Sequence, residues 1–301
     1  VTSSHPSFDI LIAGGGLSAG LIALAFARHR PDVRVALVES GSAFGGNHTW
    51  SSFASDLSPE GADLAAPLIA HRWDEYEIRF PAYTRHLPSG YQSAFSHRLH
   101  DALEAAIPPE RRFLGVPVAA VSPTGITLAD QRQLNAAAVI DARGQKVSPA
   151  LELGFQKFVG LEVELEAPHG LAGPIIMDAS VDQLDGYRFV YTLPFTPTTA
   201  MIEDTYYADG PALDRSSVAA RVHSYAQSQG WAIRRVLRDE DGVLPIAIEG
   251  DIRAHLDSFP EGIAPVGMAA GLFHPVTGYS FPDAVRLALH LSKLPDLGGA
   301  S

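Results

Sequence analysis

The sequence predicts an α/β protein: a nucleotide-binding domain with an antiparallel β-sheet domain inserted into it. Three observations carry this. A strand–glycine turn–helix–strand unit occupies 9–40, and short strand patterns separated by Gly, Pro and Asp fill 155–248. A strand–loop–helix pattern then returns at 263–294, so the last strand and helix of the first domain come from the far end of the chain. The predicted nucleotide-binding domain is therefore discontinuous, 1–56, 96–150 and 258–301, and the substrate domain takes 57–95 and 151–257.

The elements follow in order. A buried strand at 9–13 leads through a glycine turn into a helix at 17–29 and a second strand at 33–39, then a Gly-rich loop at 41–48. Residues 57–95 are polar and aromatic with scattered prolines and read as irregular chain with short strands. A short helix spans 97–107, capped by Ser96 and stopped by Pro108 and Pro109. A second buried strand ends at 139–141. Strands are expected at 158–165, 174–178, 187–193, 200–206 and 243–248, with one helix at 215–229. A strand at 263–270, a loop at 271–278 and a helix at 281–294 complete the pattern.

Composition excludes several classes. With 301 residues, 46% hydrophobic and 19% charged, the chain has the balance of a folded domain rather than a disordered one. Lys and Arg number 22 against 34 Asp and Glu, a net charge of −12. That is the opposite of the basic footprint a nucleic-acid binder needs. It also leaves contact with lipid to local patches. The absence of cysteine removes disulfides, thiolate nucleophiles, zinc knuckles, iron–sulfur clusters and cysteine-linked flavin. It fits a reducing compartment, and the expected location is cytoplasmic. The uncharged stretch 10–27 approaches the length of a membrane span, but Gly14, Gly15, Gly16 and Gly20 divide it into strand and helix. Residues 1–9 carry no Lys or Arg, unlike the start of a signal peptide.

The turn Gly14-Gly15-Gly16-Leu17-Ser18-Ala19 fits the G-x-G-x-x-G/A pattern of a Rossmann-like dinucleotide site. Gly14 makes the turn, Gly16 lets the backbone approach a pyrophosphate, and the small Ala19 lets helix and strand pack closely. The helix N-terminus offers unpaired N–H groups to the phosphates. Glu39, 23 residues after Gly16, is placed to hydrogen-bond ribose hydroxyls.

The far end of the chain separates FAD from NAD. The segment from Gly267 to Gly278, with Gly271, Pro275 and Gly278, resembles the G-D-A-A-G…P-x-T-G segment of FAD-dependent oxidoreductases of the hydroxylase and geranylgeranyl-reductase type, with Met268 in place of the aspartate. In those families that aspartate holds the ribityl chain and the following helix points at the flavin ring. Asp141, in Val139-Ile140-Asp141-Ala142-Arg143-Gly144, reads either as a turn cap or as a flavin contact.

Further stretches sharpen the resemblance. Gly45-Gly46-Asn47-His48-Thr49-Trp50, Ile176-Met177-Asp178-Ala179, Asp185-Gly186-Tyr187-Arg188-Phe189-Val190-Tyr191, Ile202-Glu203-Asp204-Thr205 and Phe273-His274-Pro275-Val276-Thr277-Gly278-Tyr279 together resemble the bacterial lycopene β-cyclases. The resemblance runs from about 9 to 294, and since family members continue with further helices it implies a C-terminally shortened chain. It implies the ring closure of the ψ-ends of lycopene, giving γ- and then β-carotene. It implies reduced FAD supplied through NAD(P)H, with no net redox change. Linear carotenoids would be the substrates, the membrane surface a peripheral partner, and other carotenoid-pathway enzymes neighbours. The expected cofactor contacts are Gly14, Gly16, Ala19, Glu39, Gly46, His48, Asp141, Gly271, Pro275 and Gly278.

Ring closure can start by protonating C2 of an alkene, which demands a neutral carboxyl in a dry pocket. Glu203 matches the first acid of the family's motif, and Asp204 the second. On a strand the two face opposite sides, so only one can reach the substrate. Aromatic faces hold carbocations, and Trp50, Tyr187, Phe189, Tyr191, Phe273 and Tyr279 are expected to line the substrate path. His48 and His274 read as hydrogen-bonded loop residues or flavin contacts, without metal-ligand spacing. Arg98 reads as solvated or as a flavin contact, and Arg234, Arg235 and Arg238 as a small basic cluster. Two other functions share these features: another flavin enzyme on the same scaffold, a hydroxylase or prenyl reductase, and a non-catalytic flavin- or carotenoid-binding remnant.

Overall fold

The run Ile10, Leu11, Ile12 and Ala13 is almost wholly shielded from solvent, as a strand at the middle of a parallel sheet must be. In the computed structural model, which describes residues 7–144, 148–184 and 186–295, strand Phe8–Ala13 pairs in parallel with Val35–Val38 and with Gln133–Asp141. The sheet order is Arg112–Phe113, Val35–Val38, Phe8–Ala13, Gln133–Asp141, Gly125–Leu128, Val118–Ser122. Ile263–Pro265 adds in parallel to Gln133–Asp141, so the far end of the chain does return to this sheet.

Helices cover one face. Leu17–His29 is buried through most of its length, because helices Ser96–Ala106 and Phe281–Ser292 pack on it. Gly20 marks the close approach: a Cβ there would stand 2.7 Å from Leu99 Cδ1. Ile10, Ile12, Leu37, Phe26, Leu103, Phe281 and Val285 belong to this core. On the other face Leu11, Ala13, Ala36 and Val38 pack with Val116, Ile126, Leu128 and Ile263.

The second sheet has the order Ile233–Gly250, Leu151–Leu165, Thr199–Ala208, Arg188–Thr196, Ile175–Asp178, Tyr76–Phe80, Tyr83–Leu87. Leu151–Leu165 with Thr199–Ala208, Thr199–Ala208 with Arg188–Thr196, Arg188–Thr196 with Ile175–Asp178, and Tyr76–Phe80 with Tyr83–Leu87 pair antiparallel, whereas Ile175–Asp178 and Tyr76–Phe80 pair in parallel. Helix Arg215–Ser228, capped by the Asp214 carboxylate on the Ser217 N–H, covers one face. Val218, Val222 and Tyr225 pack there on Val159, Leu161, Val190 and Ile202.

Contacts divide the chain into two units, Val1–Ala70, Ser93–Leu151 and Gly250–Ser301 in the first, His71–Gln92 and Glu152–Glu249 in the second. Residues 57–70, 93–95, 151 and 250–257, expected in the substrate domain, thus group with the first unit. Ser58 caps helix Pro59–Ala65, a Ser-Pro-Glu start hidden in a segment that reads as irregular.

Several expected boundaries move. Helix Ser96–Ala106 takes Phe95 as its N-cap, because Ser96 Oγ instead accepts from the His48 N–H at 3.1 Å. The strand expected at 263–270 stops at Pro265, since Gly267 adopts φ +62° and starts a 3₁₀ turn, Gly267–Ala270, that Gly271 closes at φ +69°. The strand expected at 243–248 spans Ile233–Gly250. Its arginines disguise it: Arg234 and Arg235 pair with Glu164, and Arg238 pairs with Glu162 on the neighbouring strand and with Glu240. The basic cluster read from the sequence is therefore charge-compensated. Among the described residues no helix is long and apolar enough to cross a membrane.

Candidate functional site

The face of the second sheet opposite helix Arg215–Ser228 carries an acid. Glu203, on Thr199–Ala208, stands in register between Gly160 and Tyr191 on the flanking strands. Its side chain is densely surrounded by protein although the residue keeps some solvent contact. Thr205 Oγ1 donates to Glu203 Oε1 at 2.9 Å. Burial pushes the Glu203 carboxyl up to about 8, and the negative charges of Glu240 and Asp204 add to the rise. At neutral pH the group is a protonated carboxylic acid.

Gly160 explains how Glu203 is accommodated. A Cβ on Gly160 would lie 3.4 Å from Glu203 Oε2 and 3.3 Å from Glu240 Cγ. A glycine inside a strand is a recognised sign of close approach, and Gly160 is the sequence signal for this site. Glu240, 3% exposed, carries no such signal, because it sits in an acidic stretch that reads as surface.

Asp204 faces the other way, as alternation along a strand requires. It is fully buried on the helix-covered side. One oxygen accepts from Arg188 Nε at 2.9 Å and the other from Arg221 Nε at 3.1 Å. Arg188 also donates to the Asp182 carbonyl. Asp204 is thus the centre of a buried ion triad on the face away from Glu203, not a second group at the reacting end.

An aromatic wall extends from the acid. Tyr191 shares its face with Phe189 two residues before it. The Tyr191 and Tyr91 hydroxyls are hydrogen-bonded at 2.8 Å. Tyr91 touches Trp73 and Tyr76, with ring centroids 6.4 and 6.1 Å apart. Trp73 and His71 stack with Phe195. Tyr187, expected in the strand, lies just before it and is half exposed, its ring beside Phe189 and Tyr207. Asp185 lies outside the described residues. Tyr91, Trp73 and Tyr76 come from chain that reads as irregular, so only the pairing of distant strands reveals them.

Trp50, Phe273 and Tyr279 belong to the first unit. Trp50 packs partly buried on the helical core, and Tyr279 lies against Phe53. The 274–279 loop is held by its own backbone, with the Gly278 N–H on the His274 carbonyl and the His274 N–H on the Tyr279 carbonyl. His274 Nδ1 accepts from the Val276 and Thr277 N–H groups, so its ring closes this loop around Pro275. Arg98 donates to the Ile69 carbonyl, which fixes it within the helix's surroundings.

The glycine turn is built as its spacing implies. Gly14 takes φ +104°, and a Cβ there would strike the Ala142 carbonyl oxygen at 2.5 Å. Gly16, the N-cap of Leu17–His29, has no atom within 4 Å of a Cβ position, so open space adjoins the helix N-terminus. No acidic side chain occupies the first turn of that helix, and Ala19 is fully buried. Glu39 braces the turn: Oε2 accepts from the Gly15 N–H at 2.7 Å and Oε1 from the Gly41 N–H at 2.6 Å. Asp141 caps its own turn, Oδ1 accepting from the Arg143 N–H at 3.2 Å, and it pairs with Arg143 Nε at 2.8 Å and Nη2 at 2.7 Å. Gly46, at φ +66°, lies against the His48 ring. Among the described residues no cluster of acids and histidines forms a metal site.

Comparison with known proteins adds three findings. The family model described as Lycopene cyclase protein matches residues 9–296. A lycopene beta-cyclase of Pantoea ananas is 43% identical over 297 residues, covering 99% of this chain and 77% of its own length. Among solved structures, a geranylgeranyl bacteriochlorophyll reductase-like protein from Thermoplasma acidophilum superposes over 95% of this chain and 77% of its own with a TM-score of 0.66 at 14% identity, which establishes a shared fold.

Proposed function

The chain belongs to the lycopene cyclase family and carries its β-cyclase function, and from that premise we propose that Glu203 is the acid that closes the ψ-end of lycopene into a β-ionone ring. The observation that carries the assignment is a carboxyl held neutral by burial, beside Tyr191 on the same face of the sheet.

The chemistry follows from that geometry. Thr205 holds Oε1, which leaves Oε2 to carry the proton. Transfer of that proton to C2 leaves a tertiary cation at C1. The C5=C6 bond attacks it, forming the C1–C6 bond and moving the charge to C5. Loss of the C6 proton to a carboxylate gives the ring and restores the proton count, so atoms and electrons balance without an oxidant. Tyr191, Tyr91 and Trp73 offer aromatic faces to the passing cation, and their apolar bodies exclude water that would trap it.

FAD fits the first unit on the evidence of the glycine turn, the open space beside Gly16 and the unopposed helix N-terminus. Gly14, Gly16 and Ala19 would receive the pyrophosphate, with Glu39 sharing its lone pairs between the turn and a ribose. Gly46, His48, Gly271, Pro275 and Gly278, outside the strands of the same unit, and Asp141, at the end of strand Gln133–Asp141, are the remaining proposed contacts. FAD in its reduced form, supplied through NAD(P)H, is the proposed cofactor, and the ring closure consumes none of its electrons. Gly14→Ala is expected to lose flavin on purification and to lower the melting temperature, because both its φ and its Cβ position are disallowed. A protein that retains stoichiometric flavin absorbance would count against this placement.

Lycopene dissolves in lipid, so delivery requires peripheral contact with the membrane, with a cytoplasmic protein body. Val236 and Leu237 are exposed on opposite faces of the sheet's edge strand, so either face offers an apolar side chain for such contact. Expression in bacteria that accumulate lycopene tests the whole reading. β-Carotene in the extract is the expected result, whereas unchanged lycopene beside a flavin-loaded protein would favour a binding remnant.

A further inference from the structure

We propose that Glu240 is a positioning residue for ring closure: held as an anion by Arg238 beside Glu203, it keeps the Glu203 carboxyl protonated and ready to donate. The proposal deepens the assignment of Glu203 as the acid and rests on it.

Four observations support the pair. Glu240 and Glu203 come from different strands, Ile233–Gly250 and Thr199–Ala208, with Leu151–Leu165 between them. The intervening residue is Gly160, and both side chains lean over it, within 3.4 and 3.3 Å of where its Cβ would be. A Cβ there would crowd both side chains and stand 3.0 Å from Met201 Sδ. Glu240 is buried, yet Arg238 Nη1 donates to its Oε2 at 2.7 Å. A buried carboxylate with a guanidinium stays charged, and a second carboxyl beside it cannot also ionise cheaply. The asymmetry is built in: Arg238 serves Glu240 and Glu162, while Glu203 has a threonine hydroxyl.

The other groups around the pair are accounted for. Leu151–Leu165 contributes Glu162, already paired with Arg238. Arg188–Thr196 contributes Tyr191, whose hydroxyl bonds to Tyr91. Asp204 adds negative charge from its own strand but is neutralised by Arg188 and Arg221. Glu240 is therefore the anion that the sheet directs at Glu203.

The test reads Glu203 directly. Its titration is followed by the carboxyl-stretch infrared difference between otherwise identical proteins with and without Glu203→Gln, in wild-type and Glu240→Gln backgrounds. Glu240→Gln removes the anion, so Glu203 is expected to ionise at a pH lower by about one unit or more. The alkaline limb of the kcat profile should move down by the same amount, with KM little changed. Glu240→Asp keeps the charge on a shorter stem and should fall between the two, and it carries the test if Glu240→Gln does not fold. An unmoved Glu203 titration in a folded variant overturns the proposal. Because the infrared readout needs no turnover, it stays decisive even if Glu203 proves not to be the acid, which an active Glu203→Gln protein would show separately.

Discussion

Glu203→Gln is expected to lower the rate of ring closure by about 10²- to 10⁴-fold, the range that one positioned general acid contributes. The amide keeps the shape and can accept the Thr205 hydrogen bond, but it has no acidic proton to give to C2. Flavin binding should be unchanged, since the glycine turn and Glu203 belong to different units. In lycopene-producing bacteria the variant should leave cells pink, and a variant that still makes β-carotene at near the parental rate would remove Glu203 from the mechanism. The same substitution makes a stability prediction. Glu203 titrates near 8 in the folded protein against an ordinary value of 4.5. Its neutral form therefore favours the folded state fully below 4.5, and that contribution is lost as pH rises toward and through 8. Relative to the parent, Glu203→Gln should gain melting temperature steadily over that window and gain no more above it. A pH-independent difference between the two melting curves would show that the carboxyl is not buried as a neutral acid.

Asp204→Ala is expected to destabilise the second unit by about 3–5 kcal/mol, the cost of breaking a buried ion pair from one side. Asp204 is wholly buried and Arg188 nearly so, and removing the carboxylate strands a guanidinium beneath helix Arg215–Ser228. Arg221, more exposed, can turn to solvent, so the loss is dominated by Arg188. Chemical denaturation measures it. The two neighbouring acids thus separate: the first should affect turnover with little loss of stability at neutral pH, the second stability first. Full activity together with parental stability in Asp204→Ala would contradict the buried triad.

The helix Leu17–His29, the glycine turn and the strand pairs around Arg188–Thr196 and Thr199–Ala208 were legible because local chain chemistry decides them. A positive φ needs glycine at 14, and alternation puts Glu203 and Asp204 on opposite faces whatever the partner strands are. The helix at Pro59–Ala65 and the long edge strand Ile233–Gly250 were not legible. Polarity signals surface loop in a sequence, yet in the sheet the arginines at 234, 235 and 238 are satisfied by glutamates of the adjacent strand.

The sequence by itself determined the family, the glycine turn and the position of the proposed acid, since each is carried by short contiguous motifs. Only the tertiary structure decided the surroundings that favour the neutral form of Glu203. A carboxyl's protonation state is set by what surrounds it in space, and the surroundings of Glu203 come from Gly160 and Glu240, dozens of residues away on either side. Tyr91 likewise reaches Tyr191 across a hundred residues. Burial and charge are sums over neighbours, and the neighbours exist only once the strands have paired.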